Sequence, residues 1–284
     1  MTPIPVMDWQ MMRDLALLAP HIKPTTGNIF FVHATQGNTT NAGTSSVAPL
    51  STIDAAYNLC TANHGDIVVV MPGHTETITA ATTLVMDTAG VQIIGLGQAK
   101  TRPVLTFNAV GSNVPITANN NRISNIVFSA GIASVVTGVT VTGNDVEIDN
   151  CRWTYGATTF SFVTMLSLAG SATLCLNPYL HDLLMTTEVA SATPNAGILL
   201  VGVIRPVLKN IQVYGTFITA PIVGTTTLSS EILFENIRTY NAVASVAYNA
   251  LDRGAVNTTG LMVNCSFVGL YATPSTELAR YVTV

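Results

Sequence analysis

The sequence predicts an all-β protein built as a parallel β-helix, a solenoid of about eight rungs. The first observation is a short phrase that recurs six times and reads apolar, variable, Asn, apolar, variable and usually apolar. The second is its spacing, since successive copies lie 25 to 32 residues apart, within the range that marks repeat architectures. The third is the alternation of apolar and variable residues around the Asn, which is typical of strands with one buried face and excludes an α-solenoid.

The central Asn of each copy lies where the alternation breaks, so it predicts a tight bend between two short strands. Asn tolerates the left-handed backbone conformation that such a bend needs. Stacked copies would place the side chains above one another, and each amide could then donate to its neighbour. The six predicted ladder residues are Asn125, Asn150, Asp182, Asn210, Asn236 and Asn264.

The elements before the repeat are an arm, a strand and a cap. Residues 1–27 lack the phrase, are rich in proline and predict an N-terminal arm, whereas residues 28–284 form the predicted β-helix domain. An apolar run at 29–32 predicts a first strand. The segment near 51–62 predicts a helix with Ser51 as its N-cap, which would cover the open end of the solenoid and protect its edge. Ile53, Ala56, Tyr57 and Cys60 lie on one face of that helix.

Strands continue from Gly65, with Pro72-Gly73 as a turn. The C-terminal segment 274–284 has lost the phrase, and it is predicted to cap the last rung or to reach a neighbouring molecule.

Composition excludes several functional classes. Hydrophobic residues make up 48 % and the mean hydropathy is +0.45, yet the longest apolar runs are far shorter than a membrane span, so no membrane partner is expected. The net charge is −4 and Lys and Arg are scattered singly, which gives no electrostatic footprint for nucleic acid. The N-terminus shows no signal peptide pattern. The four cysteines have no metal-ligand spacing and are expected to be buried free thiols from a reducing site of synthesis.

One stretch resembles a known family. A predicted helix at 49–56 is followed by Gly65-Asp66, an apolar strand, Pro72-Gly73 and Glu76. This order resembles the opening of pectate-lyase-like right-handed β-helix proteins. The resemblance implies a right-handed solenoid. It also implies membership of a group that contains polysaccharide lyases and hydrolases, phage tailspikes and non-enzymatic phage virion proteins.

The best candidate for chemistry is the group Asp145, Glu147 and Asp149, because strand alternation would put three carboxylates on one outward face. Such a group could bind Ca²⁺ or act as acid and base. The predicted register, however, places Arg122 opposite Glu147. It also stacks Asp149, His181, Lys209 and Glu235 in one column of mixed charge. Structural ion pairing is therefore the favoured interpretation.

The remaining candidates are weaker. His181-Asp182 resembles half of a proton relay, but Asp182 occupies a ladder position beside a bend rather than a cleft. His33, His64 and His74 are predicted to be loop or turn residues. The lyases of the resembled fold use acidic calcium ligands and a basic residue, and this chain offers only the three acids and Arg152. Trp153 is predicted to point inward, and no sugar-stacking platform is predicted. The sequence thus predicts no catalytic residue, no metal and no cofactor.

Apolar side chains at outward positions indicate a covered surface. Val207, Leu233 and Leu261 occupy one outward column, and a subunit interface would shield them. The resemblance implies three copies about one axis. The favoured function is a phage virion structural protein, a homotrimeric head decoration (cement) or fibre-like subunit. It would be made in the host cytoplasm and bound to other virion proteins such as the major capsid protein through the arm. The alternative is a polysaccharide lyase or hydrolase, or a non-catalytic glycan-binding adhesin.

Overall fold

The fold is built from short parallel strands. Each strand is separated from the next one in its sheet by one coil of the chain. The computed structural model describes residues 25–169, 175–187, 194–225, 227, 229–242 and 259–269. Within these ranges the chain forms the predicted parallel β-helix, with three main sheets that we name A, B and C. Most of the predicted arm and the whole of the segment 274–284 lie outside the described residues.

Sheet A has nine strands and sheet B has eight. The strands are numbered along the chain. Sheet A contains β1 (Ile29–Val32), β2 (Ile67–Val70), β4 (Gln92–Gly95), β7 (Arg122–Ser124), β10 (Glu147–Asp149), β14 (Tyr179–His181), β18 (Val207–Lys209), β21 (Ile232–Glu235) and β23 (Gly260–Val263). Sheet B contains β3 (Thr75–Ile78), β5 (Val104–Phe107), β8 (Val127–Ala130), β11 (Arg152–Tyr155), β15 (Leu184–Thr187), β19 (Gln212–Gly215), β22 (Arg238–Asn241) and β24 (Ser266–Gly269).

Sheet C is shorter and closes the third side. It contains β6 (Val114–Ile116), β9 (Val135–Val141), β12 (Phe162–Ala169), β16 (Ala196–Val201) and β20 (Ala220–Gly224). A further small sheet pairs β13 (Cys175–Leu176) with β17 (Val203–Ile204). None of the five strands of sheet C has an acidic, basic or histidine side chain, so the charged residues of the described strands lie on sheets A and B.

The predicted Asn column forms the corner between sheets A and B. All six of its residues have a positive φ, between 51° and 60°, which is the left-handed conformation that Asn and Asp adopt more readily than other non-glycine residues. A single residue in this conformation turns the chain sharply, and the next strand therefore starts almost at once. The prediction of one shared corner is confirmed.

Side-chain amides connect the rungs at this corner. Asn150 Nδ2 donates to Asn125 Oδ1 at 3.1 Å, and Asn236 Nδ2 donates to Asn210 Oδ1 at 2.8 Å. Asn210 and Asn264 donate in the same way to Asp182 and Asn236, at 3.0 Å and 3.2 Å. Asp182 has no amide to offer, and the Oδ1 of Asn150 instead accepts from Arg102 Nη2 at 3.0 Å. An arginine thus supplies the donor that the ladder lacks at this rung.

The interior is a single column of apolar side chains from the inward faces of the three sheets. Trp153 is fully buried, as predicted, and its ring stacks on Phe128 with centroids 4.7 Å apart. Phe107 meets Phe162 edge to face at 5.2 Å. Large aromatic rings on successive rungs fill the core and contribute more than their buried area alone.

A short helix packs against the first strands, and it is less than half as long as the predicted segment 51–62. Helix α1 (Ile53–Tyr57) buries Ile53, Ala56 and Tyr57 against the core. Its N-cap is Thr52, whose side chain accepts a hydrogen bond from Ala55 N. The prediction of Ser51 as N-cap is wrong by one residue, because the hydroxyl must lie three residues before the N–H that it caps.

The family-like motif has a structural role in this chain. The Asp66 carboxylate is fully buried and accepts from the backbone N–H groups of Asn28 and Thr61 at 2.6 Å and 2.7 Å. Glu76 accepts from Ile53 N at 2.9 Å, so a carboxylate from the second strand after the helix fixes the first turn of α1. Both acids therefore secure the cap to the solenoid.

All four cysteines are free, as expected. Cys151 and Cys175 are buried, whereas Cys60 and Cys265 are only half-buried, which corrects the expectation for those two. Burial raises the pKa of the Cys151 thiol to about 12, so this group is an apolar filler of the core. No helix among the described residues is long and apolar enough to span a membrane.

Replacing Asn210 with Leu should lower the free energy of unfolding by about 1–3 kcal/mol, because Asp182 and Asn236 would each lose a ladder partner. Denaturant unfolding followed by far-UV circular dichroism measures the change. The control is Gln212→Leu, an exposed position in the same rung, which should leave the midpoint almost unchanged. Equal stability of the Asn210 variant and the wild type would show that the ladder hydrogen bonds do not contribute to the free energy of unfolding.

Candidate functional site

The predicted group of three acids is divided by the structure. Asp145 lies at a second left-handed corner with φ of 55°, and its Oδ1 accepts from Asn177 Nδ2 at 2.9 Å. It precedes β10 instead of lying on its outward face. The prediction that Asp145, Glu147 and Asp149 share one face is therefore wrong for Asp145, because a single left-handed residue rotates the chain away from strand geometry.

Asp149 is held in a buried ion pair. Arg122 Nε donates to Asp149 Oδ1 at 2.7 Å and Arg122 Nη2 to Oδ2 at 3.0 Å. Ser124 Oγ also donates to Oδ2, at 2.7 Å. Arg122 and Asp149 are only 4 % and 2 % exposed. Such a two-pronged contact fixes both groups and leaves the carboxylate little freedom to act on a ligand.

Glu147 lies beside this pair and is more open. Its Oε1 is 3.4 Å from Arg122 Nε and 3.4 Å from His181 Nε2. The predicted register of Arg122 opposite Glu147 is confirmed, although the shorter contact of Arg122 runs diagonally to Asp149. Ligand atoms of Glu147, Asp149 and His181 lie within 4.8 Å of one another. The Arg122 guanidinium already supplies the positive charge between the two carboxylates.

His181 connects this cluster to the Asn corner. Its Nδ1 lies 2.7 Å from Asp182 Oδ2, and its ring stacks on Tyr179 with centroids 4.3 Å apart. Burial lowers the pKa of His181, but hydrogen bonds to Glu147 and Asp182 outweigh it, and the net pKa is raised. The imidazole therefore favours its protonated form between two carboxylates.

The other predicted candidates have structural partners. Lys209 Nζ pairs with Glu235 Oε1 at 2.9 Å, as the mixed-charge column predicts. His64 Nδ1 lies 2.6 Å from Asp66, and His74 Nε2 lies 3.1 Å from Glu76. His33 Nδ1 accepts from Thr35 N and Gln36 N. Each histidine thus serves a turn or the cap, in agreement with the expectation.

The outer face of sheet B differs in character from sheet A. From β5 onward its only charged side chains are Arg152 and Arg238, and both are exposed. Neither makes an ion pair within the part of the chain that the structure describes. They stand in one column of the sheet, whose members are Val127, Arg152, Leu184, Gln212, Arg238 and Ser266.

A second column of sheet B carries aromatic side chains. Tyr214 and Tyr240 are direct neighbours in adjacent strands, and both are half-buried. Two aromatic rings on successive rungs, beside an arginine, form the kind of surface on which a sugar ring can pack. The expectation that no sugar-stacking platform exists did not weigh these two rings, and it stays a prediction.

Two cavities open along this face. The first has a volume of about 290 Å³, and Arg102, Arg152, Asp182 and Leu184 are among its lining residues. The second has a volume of about 440 Å³ and is lined by Tyr214, Arg238 and Tyr240 together with residues of β24 and of the corner before it. The prediction of no cleft beside Asp182 is wrong, since Asp182 lines the first cavity. We name the two the arginine cavity and the tyrosine cavity.

A simple count from the ladder could have found the tyrosine column. Tyr214 and Tyr240 both lie four residues after a ladder Asn, at a position filled by smaller residues in the earlier rungs. Arg152 and Arg238 likewise share the position two residues after the Asn. The arginine cavity has no such signal, because Arg102 reaches it from the loop before β5.

The predicted apolar column is present on sheet A. Val207, Leu233 and Leu261 are stacked in register. Leu261 is 42 % exposed, whereas Val207 and Leu233 are half-buried.

Comparison with known proteins supports the fold. No protein-family model and no curated protein sequence matches the chain. Among solved structures, a rhamnogalacturonan lyase aligns with a TM-score of 0.55 and 12 % identity, over 84 % of this chain and 68 % of that protein. A GH136 lacto-N-biosidase from Eubacterium ramulus aligns with a TM-score of 0.39 and 9 % identity, over 91 % of this chain and 70 % of that protein. The likeness to the lyase shows a right-handed parallel β-helix.

The raised pKa of His181 predicts a pH dependence of stability. A group with a higher pKa in the folded state stabilises the fold below its unfolded value, near about 6.5, and loses that contribution as pH rises through the folded value. Between about pH 6 and about pH 9, the wild type should therefore lose stability relative to His181→Gln. Chemical denaturation at several pH values measures the difference, and parallel curves for the two proteins would contradict the assignment.

We predict that Glu147 and Asp149 form a structural network instead of a catalytic one. Asp149→Asn should lower the free energy of unfolding by about 3–5 kcal/mol, because buried Arg122 would lose its two-pronged ion pair and keep only the longer contact with Glu147. Asp145→Asn, at an exposed corner, is the matched control and should change stability little. Incubation of the wild type with pectin or alginate should release no fragments. Release that is lost in the folded variant Glu147→Gln would contradict this prediction.

Proposed function

We propose that this protein binds a polysaccharide along the outer face of sheet B. The single observation that carries the proposal is the tyrosine cavity, which lies on the three strands of sheet B that follow those of the arginine cavity. The site is a concave surface on a rigid scaffold and combines aromatic rings with unpaired guanidinium groups. Aromatic and arginine side chains are the types most often found as energetic anchors in binding sites.

The dimensions suit an extended ligand. The column from Val127 to Ser266 spans six strands of sheet B, a length of about 24 Å at about 4.8 Å per step. The tyrosine cavity, at about 440 Å³, falls within the volume range of small-molecule sites, about 300–1,000 Å³. A linear polymer lying parallel to the solenoid axis would contact both cavities at once.

The rigidity of the surface favours binding. Backbone hydrogen bonds to the strands on both sides fix Tyr214 and Tyr240, so little conformational entropy is lost when a ligand packs on them. The two solved structures named above are glycan-cleaving enzymes by name, and the likeness to the lyase is one of fold. Polysaccharide recognition is thus a use to which this scaffold is suited.

Binding without cleavage fits the observed charges. In the described chain, Asp149 is locked by Arg122 and Ser124, and the strands of sheets B and C that follow β3 carry no carboxylate. A pair of free acids facing one cleft, as glycoside hydrolysis needs, is not found among the described residues.

A virion structural subunit remains a second proposal, and the apolar column of sheet A favours it. Val207, Leu233 and Leu261 would be shielded in a homotrimer. Attachment to a phage particle through residues 1–27 is part of the same proposal. The two functions are compatible, because the apolar column and the two cavities lie on different sheets.

Replacing Tyr240 with Ala should weaken polysaccharide binding about tenfold or more, because a central aromatic contact would be lost. Binding of the full chain to a panel of neutral and acidic polysaccharides, measured by biolayer interferometry, identifies a ligand and then gives the ratio of affinities.

Tyr179→Ala is the matched control. It removes a half-buried tyrosine of similar setting from the outer face of sheet A and should leave the affinity unchanged. Equal losses in the two variants, or no binding of any polysaccharide by the wild type, would contradict the proposed function.

A further inference from the structure

Two arginines line the arginine cavity, and neither forms an ion pair with Asp182, the acid in the same lining. Arg102 and Arg152 both line it, and neither makes an ion pair with any described residue. Two like charges close together are unfavourable unless an opposite charge lies between them. No described carboxylate forms an ion pair with either guanidinium, so an anion bound between the two would lower their electrostatic repulsion.

A hydrogen bond to the Asn ladder holds Arg102 in place at this cavity. Its Nη2 donates to Asn150 Oδ1 at 3.0 Å, at the rung where the ladder lacks an amide. The other N–H groups of the guanidinium make no hydrogen bond within the described ranges. Arg102 is half-buried, and its pKa is lowered, first by burial and also by the charge of Arg152. The group is thus fixed, partly desolvated and still able to donate.

Asp182 does not neutralise the pair. It lines the same cavity, but its Oδ2 contacts His181 Nδ1 at 2.7 Å and its Oδ1 accepts from Asn210 Nδ2 at 3.0 Å. Both oxygens therefore already have hydrogen-bond partners other than the two arginines. No ion pair links Asp182 to Arg102 or Arg152.

We propose that the arginine cavity binds the carboxylate or sulfate group of an acidic glycan between Arg102 and Arg152. Planar guanidinium groups match the oxygens of such anions and bind them in two-pronged fashion. The cavity of about 290 Å³ has room for a single charged sugar residue, while the adjoining column leads past Gln212 to the tyrosine cavity. The choice of a glycan rests on the proposed function, whereas the anion site rests on the geometry of the two arginines.

The first test uses small probes on the full chain. Sodium sulfate and sodium glucuronate, titrated at constant ionic strength, should produce saturable shifts of the backbone amide signals of Arg152 and Leu184 in NMR spectra, and glucose should not. Arg152→Gln should abolish the saturable shifts. Lys100→Gln is the matched control, because it removes a positive charge from the exposed turn beside the cavity without removing a lining residue, and should keep them. Shifts that are linear in both anions, or that survive in Arg152→Gln, overturn the anion site.

The second test separates this inference from the proposed function. Arg152→Gln should weaken binding of an acidic polysaccharide about tenfold or more and weaken binding of a neutral one much less, because only the acidic polymer offers the anion. Equal affinity of wild type and Arg152→Gln for the acidic polymer would overturn the inference and leave the proposed function intact. Saturable binding of sulfate and glucuronate with no polymer bound would support the anion site and contradict the proposed function.

Discussion

The structure depends on one left-handed residue per rung at the corner between sheets A and B. Hydrogen bonds between stacked side chains offset the conformational cost of this backbone geometry. They link Asn125 to Asn150, and Asp182 through Asn210 and Asn236 to Asn264, with Arg102 as the donor at the rung between, and so align both adjoining sheets. Every outward column, whether apolar, charged or aromatic, inherits its alignment from this corner.

The one acid in the ladder organises the charged groups around it. The Asp182 carboxylate accepts a hydrogen bond from Asn210 but has no N–H to donate to Asn150. Arg102 donates to Asn150 Oδ1 instead. The other oxygen of Asp182 captures His181, which in turn reaches Glu147. Where the ladder has Asp182 in place of Asn, the Arg102 guanidinium and the His181 imidazole both contact the corner. Departures from a regular pattern of this kind often mark functional places in a fold.

Charge is scarce in this chain and is used in two ways. Arg122 and Asp149 are buried, and each satisfies the other, so the pair fixes the rungs of β7 and β10 and has little capacity left for a ligand. Arg152 and Arg238 are exposed and unpaired in the described chain. Their donors are directed to the same face as Tyr214 and Tyr240. The stabilising ion pair therefore lies on sheet A, whereas the proposed binding surface lies on sheet B.

The sequence by itself determined the features that depend on strand alternation and repeat spacing. These are the solenoid, the shared corner, the inward Trp153 and the register of Arg122 with Glu147, since each follows from a period of two within a rung and from counting between rungs. The tertiary structure alone decided what side-chain direction and loop path control. It placed Asp145 at a second corner that is not marked by one residue type, turned Arg122 diagonally to Asp149, and brought Arg102 from a loop into the ladder. The loops between strands, such as the one that carries Arg102, differ in length from rung to rung. No periodic sequence signal therefore predicts where their side chains lie.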